Sequence, residues 1–295
     1  MPAMRSPGAT RRSASAPGQG LFGPGSVTWQ VMGQPVMWVA GLRAMYLQAL
    51  HPRTMRATWQ NSAFARTGEA WGRFSRTIEF VRVRTYGTMA EVDRAGRRVR
   101  KIHASLTGTD ADGSVIRLDE PELLLWVHCG EVASYADVAR RCGMRLSAAA
   151  LDEFVNEQRR AAAVVGLDPA DVPASMAELD AYYERMRPEL CACDEARRAL
   201  AKSYVPDIPW PFTGLRLVVP PLNTLAFASL PRWARRMYGA PGSPVTDLST
   251  TVSLRALHQA TTHIPRQLLG MPATGRHVGP AADELAGTAG RAQAA

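Results

Sequence analysis

The sequence predicts an all-α protein, a single globular multi-helix domain around a buried apolar central helix, with disordered tails. Apolar residues recur at intervals of three and four along several segments, which is the spacing of one helix face. Serine or threonine precedes several of these segments, as is typical of helix starts. A hydrophobic fraction of 46% and a charged fraction of 21% are ordinary for a globular chain, and one core can account for most of 295 residues.

The predicted central helix begins after Ser26, which can cap it, and runs toward Leu50, where the His51-Pro52 pair ends or kinks it. Its residues are apolar nearly all round, so we expect it in the middle of the fold. The apolar run from Val31 is also long enough to cross a membrane, but four residues interrupt it: Gln34, Pro35, Arg43 and Gln48. The sequence therefore favours a buried helix over a membrane span.

A second helix is predicted from three apolar residues at helical spacing: Trp71, Phe74 and Ile78. It carries Arg73, Arg76 and Thr77, and Arg73 and Thr77 lie one turn apart on the same face. This segment therefore presents two cations and a hydroxyl group on one helix.

The clearest amphipathic helix runs from Met89 to Thr107. Its predicted apolar stripe contains five residues: Val92, Ala95, Val99, Ile102 and Leu106. His103 lies beside Ile102, so we expect its ring at the edge of the buried face. Gly96 lies two turns earlier, where a missing side chain would admit a planar ring.

Turn-forming residues at 109 to 114, with the sequence TDADGS, precede a short extended piece from Val115 to Leu118. Asp119 is expected to cap the next helix, which runs from Pro121 to about Cys142. This helix contains an apolar run followed directly by His128, so it is predicted to lie in the core.

Further along the chain, Ser147 and Ser175 are predicted helix caps. Proline is dense after Tyr204, which indicates a loop followed by a helix that docks onto the core. The helices predicted in this part of the chain are Ala148–Val165, Met176–Met186, Asp194–Ser203 and, last, about Thr246 to Leu257.

The chain ends are polar and rich in small residues, so residues 1–24 and 271–295 are predicted to be disordered tails. One domain then covers residues 25–270. Four cysteines without zinc-ligand spacing indicate reduced thiols in a cytoplasmic protein.

The formal net charge is +9, and almost all of the positive charge is arginine, since Lys101 and Lys202 are the only lysines. Such a charge suits nucleic acid, an anionic membrane or an acidic cofactor. We predict no nucleic-acid partner, because neither a helix-turn-helix nor a zinc-finger spacing is present. The arginine bias also has a non-functional explanation, which is a GC-rich genome.

Common enzyme fingerprints are missing: the sequence has no HExxH, no GxxxxGK[ST] and no GxSxG. The GxGxxG match at residues 18–23 lies in the predicted tail with no strand before it, so it carries no weight. What remains is a set of histidines inside apolar helical patterns: His51, His103 and His128. A buried imidazole is costly unless it is hydrogen-bonded or bound to a metal.

A haem site leaves little sequence signature, because its iron needs only one helix-borne ligand together with an apolar slot and cations for two propionates. His103 offers the imidazole, and neighbouring arginines such as Arg100 offer the cations. Arginine clusters on helices are nevertheless most often solvated faces, and a single buried histidine is most often a hydrogen-bonded core residue.

Several blocks of the sequence occur in the order of one known family. These blocks are GLRAMYLQALHP, RFSRTIEF, YGTMAEVDRAGRRVRKIHASLTG, DEPELLLWVH, LPRWARRMYG and the Ile264-Pro265-Arg266 turn. They resemble the bacterial and fungal family that contains the MpaB oxygenase and the latex-clearing rubber oxygenases. The resemblance covers roughly residues 25 to 270.

The resemblance implies an all-α fold that holds haem b and its iron, with His103 as the axial ligand in a VRxxH-type motif, here Val99 to His103. Arg73 falls at the position of the family's distal arginine, Thr77 at that of its threonine, and Arg76 replaces a lysine. That replacement argues against a distal amine ligand, because a guanidinium does not coordinate iron. Glu69 is the nearest candidate for the family's acid/base glutamate, but its spacing does not match.

The implied activity is that of a haem-dependent oxygenase that uses O2 on a hydrophobic, unsaturated substrate, of which isoprenoids are one candidate class, with Arg73 or Thr77 as hydrogen-bond donors to oxygen. His128 is the rival ligand, and it is alternatively a core hydrogen-bonding group or a proton relay. Two other functions stay open: a non-catalytic helical module that binds haem or lipid at a membrane surface, and a haem-free enzyme on the same fold. The first of these would make the protein peripheral to a membrane.

Overall fold

The computed structural model describes residues 20–61, 69–204 and 214–263. Twelve α-helices and one two-stranded antiparallel sheet form this part of the chain, which confirms the all-α prediction. The helices are α1 (Val27–Met32), α2 (Met37–Gln48), α3 (Pro52–Gln60), α4 (Glu69–Tyr86), α5 (Met89–Ser105), α6 (Pro121–Arg141), α7 (Ala148–Val165), α8 (Met176–Met186), α9 (Asp194–Ser203), α10 (Leu215–Ala228), α11 (Arg232–Met237) and α12 (Pro244–Thr262).

The predicted central helix is two helices. Ser26 caps α1 as predicted, because its side chain accepts a hydrogen bond from the Trp29 backbone N–H. The prediction of one helix toward Leu50 was wrong, since α1 ends at Met32 and Gly33 caps it through bonds to two carbonyl groups. The helical path resumes only at α2, after Pro35, which lacks the N–H that a continuous helix requires.

Helix α2 occupies the predicted central position, in contact with α6 and α10. Val39, Ala40 and Leu47 are almost fully buried there. The helix ends just before the His51-Pro52 pair, as predicted. His51 begins the next helix, because its Nδ1 accepts a hydrogen bond from the Thr54 backbone N–H at the start of α3. No helix within the described ranges is both long and apolar enough to cross a bilayer.

Helices α4 and α5 form an antiparallel pair joined by a short turn, and a capping box of Thr88 and Glu91 begins α5. The buried stripe of α5 is rotated relative to the prediction. Ile102 is 42% exposed, whereas His103 is half-buried one turn after Val99. The ring of His103 therefore belongs to the stripe itself, and the predicted stripe position of Ile102 was wrong.

The turn at residues 109 to 114 is confirmed as part of a hairpin. Strand β1 (Thr107–Thr109) pairs with β2 (Val115–Arg117), and Ile116 of β2 is fully buried. The predicted cap of the next helix was wrong, because Glu120 occupies the cap position of α6. The Asp119 carboxylate instead accepts two hydrogen bonds from Arg117.

Helices α7, α8 and α9 have the predicted bounds, and both predicted serine caps are confirmed. The side chain of Ser147 accepts from the Ala150 backbone N–H, and that of Ser175 accepts from Glu178. Helix α12 is longer than predicted at both ends, because Ser243 starts it through a capping box. The loop at 205–213, the turn at 264–266 and the tail at 271–295 lie outside the described residues.

The core extends into the predicted N-terminal tail. Phe22 is only 1% exposed, and the Arg160 guanidinium of α7 lies 5.0 Å from the centre of its ring. The boundary predicted at residue 24 therefore falls after a core residue, while residues 1–19 lie outside the described part. All four cysteines are free thiols, and Cys129 and Cys142 are buried.

Phe22→Ala is expected to lower the free energy of unfolding by about 3 to 5 kcal/mol, because it deletes a buried aromatic ring and leaves a cavity. Urea denaturation followed by circular dichroism measures this. Leu217→Ala is the matched control, since that side chain is 83% exposed and should change stability by no more than about 0.5 kcal/mol. Equal effects of the two substitutions would mean that Phe22 is not part of the core.

Candidate functional site

The antiparallel arrangement of α4 and α5 brings Arg73, near the start of α4, toward His103, near the end of α5. The charge of Arg73 acts on the His103 ring, and so does the charge of Asp119, which precedes α6. Charges from two other segments therefore act on this imidazole. We use the name candidate site for Arg73, His103 and Asp119.

Burial is the main cause of a lowered pKa at His103, and the positive charge of Arg73 lowers the pKa further. The carboxylate of Asp119 acts in the opposite direction and is the smaller effect. The lowered pKa favours a neutral imidazole at physiological pH. A neutral imidazole is the form that can ligate a metal ion.

The Nδ1 atom of His103 is buried and has no hydrogen-bond partner within the described residues. Buried polar atoms are nearly always hydrogen-bonded, because leaving one unsatisfied costs free energy. Such an atom needs a partner from outside the described residues, which an ordered water or a ligand can provide. Among the described residues, no cluster of three or more His, Cys, Asp or Glu is arranged to hold a metal ion, but haem iron takes as few as one protein ligand.

The sequence-predicted residues of α4 differ in burial and in hydrogen bonding. Arg73 is half-buried, and burial, followed by the nearby charge of Arg76, lowers its pKa. Arg76 and Thr77 are exposed. The hydroxyl of Thr77 donates a hydrogen bond to the Arg73 carbonyl oxygen at 3.1 Å, so its donor is already used within its own helix.

Gly96 and Arg100 connect α5 to α7. A Cβ atom on Gly96 would lie 2.9 Å from Cγ1 of Val164, so the missing side chain makes room for a neighbouring helix. The expectation that it admits a planar ring was therefore wrong. Arg100 donates a hydrogen bond to the Val164 carbonyl oxygen at 2.6 Å, at the C-terminal end of α7, where a cation is favourable.

His128 lies in a second buried polar cluster. It is 4% exposed, and its Nε2 has no hydrogen-bond partner among the described residues. Glu131, one turn further along α6, accepts two hydrogen bonds from Arg84 of α4, one of them at 3.2 Å. Burial lowers the pKa of His128 to about 4, and Arg84 adds to this while Glu131 opposes it.

His103 and His128 lie in different parts of the fold. His103 faces Arg73, whereas His128 faces Arg84, and these arginines are eleven residues apart on α4, which is roughly 16 Å along a helix. The structure therefore brings Arg73 and His103 together but leaves His128 apart from them.

Sequence reasoning missed Asp119, Arg84 and Glu131. Glu131 had a signal, because a carboxylate one turn after His128 in an apolar helix needs a buried cation. No sequence signal identifies Arg84 as that cation, since only the contact between α4 and α6 selects it among the arginines of α4. Asp119 was noticed only as a helix cap.

Comparison with known proteins gives one match. A family model described as the catalytic domain of ER-bound oxygenase mpaB/B' and rubber oxygenase matches residues 29–263. The match includes the candidate site and His128. No curated protein and no solved structure gives a significant match.

The stability of the protein is expected to fall by about 2 kcal/mol between about pH 7 and about pH 5 because of His128. Its pKa is lowered from 6.5 to about 4 in the folded chain, so between these values the unfolded state binds a proton that the folded state does not. Acid therefore favours unfolding in this window. Urea denaturation at the two pH values measures the difference.

His128→Gln removes this titration and should flatten the pH dependence. His263→Gln, at the exposed C-terminal cap of α12, is the matched control and should leave the pH dependence as in the unmodified protein. A His128→Gln variant with an unchanged slope would contradict a buried neutral His128.

Proposed function

The chain belongs to the family of ER-bound oxygenase mpaB/B' and rubber oxygenase catalytic domains, and from this premise we propose that it is a haem b-dependent oxygenase. In this proposal it uses O2 on a hydrophobic, unsaturated substrate. The observation that carries the proposal is the half-buried imidazole of His103, with an unsatisfied Nδ1, near the cation of Arg73. These two residues stand at the positions where the resembling oxygenases have their axial histidine and distal arginine.

His103 fits the role of axial ligand for two reasons. Its lowered pKa favours the neutral form, and a neutral imidazole can donate a nitrogen lone pair to iron. Metal-ligating histidines usually donate their second ring N–H to a carboxylate or a carbonyl group, which fixes the ring. Asp119 is the carboxylate whose charge acts on His103, but both of its oxygens accept from Arg117, so it would have to leave that pair to take this positioning role.

When bound, haem supplies the activation of O2 for the oxidation of a carbon–carbon double bond. The contribution of Arg73 is a positive charge held near His103 by a helix, with N–H groups that can donate to oxygen atoms as they gain negative charge. A guanidinium keeps its charge even where burial lowers its pKa. Arg73 is therefore the residue to which we assign electrostatic stabilisation.

Arg76 and Thr77 have weaker claims to a catalytic role. Arg76 is exposed, and a guanidinium cannot serve as an iron ligand. Thr77 would have to leave its hydrogen bond with the Arg73 carbonyl oxygen to reach a substrate. Arg100 would likewise have to leave the Val164 carbonyl oxygen to bind a propionate.

Titration of the purified protein with haem, followed by visible absorption, is expected to give a Soret band. His103→Ala should lose or shift the band, because it removes the iron ligand. His128→Ala is the matched control, since it removes another buried imidazole in a different cluster, and should keep the band. The opposite pattern would make His128 the ligand, and a protein without any band would be a haem-free enzyme or a lipid-binding module.

Oxygen uptake by the haem-loaded protein is expected with squalene and absent with squalane, its saturated counterpart. Arg73→Met should lower the rate about a hundredfold, because it removes one charge-stabilising donor. Arg76→Met, which changes an exposed arginine on the same helix, should have little effect. A haem protein that consumes no O2 with unsaturated isoprenoids would instead be a binding module.

A further inference from the structure

A polar cavity lies far from the candidate site. It has a volume of about 550 Å³ and opens at the C-terminal end of α6, between α2, α11 and α12. Asp137, which lines it, is sixteen residues beyond Pro121 in α6, which is roughly 24 Å along the helix. Five of its lining residues are arginines: Arg43, Arg140, Arg141, Arg232 and Arg255.

The floor of this arginine pocket is built from buried contacts. Arg43 is 4% exposed and donates to Ser134 Oγ at 2.8 Å and to the Ser229 carbonyl oxygen at 3.3 Å. Arg141 donates to the Ser229 and Asp247 carbonyl oxygens, both at 3.0 Å. These bonds tie α6 to α2, to the end of α10 and to α12, so the cavity has a fixed shape.

Positive charge is in excess around the cavity. Two aspartates accompany the five arginines, which leaves a net charge of +3. Asp137 already contacts three of these arginines, at 2.9 to 3.6 Å. Asp247 pairs with Arg232 and with Arg235 beneath it, and these cations outweigh the effect of burial and lower its pKa.

The rim of the pocket retains free donors. Arg255 is exposed and makes no ion pair or side-chain hydrogen bond within the described residues. The side chain of Arg140 is 66% exposed and that of Arg232 is 46% exposed, although each also contacts an aspartate. Arginine presents five N–H groups, so these three side chains have donors left for an anion.

An apolar stripe lies beside the pocket on α12. Val245, Leu248 and Val252 are 72%, 66% and 58% exposed, at the spacing of one helix face. Leu248 precedes Thr251, which lines the pocket, by three residues and Arg255 by seven, so the stripe and the pocket rim are neighbours on α12. One molecule with an anionic head and an apolar chain would contact both.

We propose that the arginine pocket binds the phosphate group of an amphiphilic phosphate ester, whose apolar chain lies along Val245, Leu248 and Val252. Guanidinium groups match phosphate oxygens in a bidentate geometry. An excess of three positive charges suits a phosphate dianion, and the cavity volume lies in the range of small-molecule sites. The phosphate is carried either by a soluble ester or by a lipid headgroup.

The test is a binding titration of the full chain with dodecyl phosphate below its micelle concentration, inorganic phosphate, and phosphatidylcholine vesicles with and without phosphatidic acid. Arg255→Gln is expected to weaken dodecyl phosphate binding about tenfold or more, which is the effect of one charge-assisted hydrogen bond. Arg198→Gln, an exposed arginine on α9, loses the same charge and should bind like the unmodified protein. Leu248→Ser should weaken dodecyl phosphate binding without changing that of inorganic phosphate.

Each result of this titration either supports or overturns the proposal. Binding of dodecyl phosphate monomers that depends on Arg255 supports a soluble ester as the source of the phosphate. Binding only to vesicles that contain phosphatidic acid, with the same dependence on Arg255, supports a lipid headgroup. The proposal is overturned if no arm binds, or if Arg255→Gln and Arg198→Gln have equal effects. These results are independent of haem, because no arm measures oxygen chemistry.

Discussion

The close packing of α6 against α2 is the constraint on which the rest of the structure depends. A Cβ atom on Gly130 of α6 would lie 2.9 Å from Cγ of Gln48, so a side chain here would push the Gln48 side chain out of its position. Gln48, the last residue of α2, is then bonded twice: its Nε2 donates to the Val127 carbonyl oxygen, and its own carbonyl oxygen accepts from Trp126 Nε1, both at 2.8 Å. Helix α6 is therefore held against the end of α2, and it is the reference for the polar groups on both of its sides.

Buried ion pairs then set the positions of other helices relative to α6. Arg84 of α4 meets Glu131, and Arg43 of α2 meets Asp137. Such pairs give little net stability, but loss of one partner leaves a buried charge that costs several kcal/mol. The Arg84–Glu131 pair consequently helps to set the orientation of α4. Arg73, at the other end of α4, depends on this orientation for its position near His103. The candidate site is thus supported by residues that do not touch it.

The sequence predicts helices better than it predicts the contacts between them. Serine caps and helical spacing suffice for α7 and α8, and helical spacing alone suffices for α9, because these signals are local. They fail at Ile102 and His103, which are neighbours about 100° apart on the helix, since only the packed partner decides which of the two is buried. Within the candidate site, family resemblance provides Arg73 and His103. It does not provide Asp119, which tertiary packing alone brings to the imidazole.

The tight contact between Gly96 and Val164 has a consequence for how this family can vary. A Cβ at position 96 would lie 2.9 Å from Cγ1 and 3.0 Å from the backbone carbonyl oxygen of Val164, so a smaller residue at position 164 would relieve only part of the crowding. Position 96 should therefore stay glycine among relatives, whatever residue stands at position 164. A larger residue at position 96 would alter the tilt of α5 and so turn His103, although position 96 lies two turns from the imidazole.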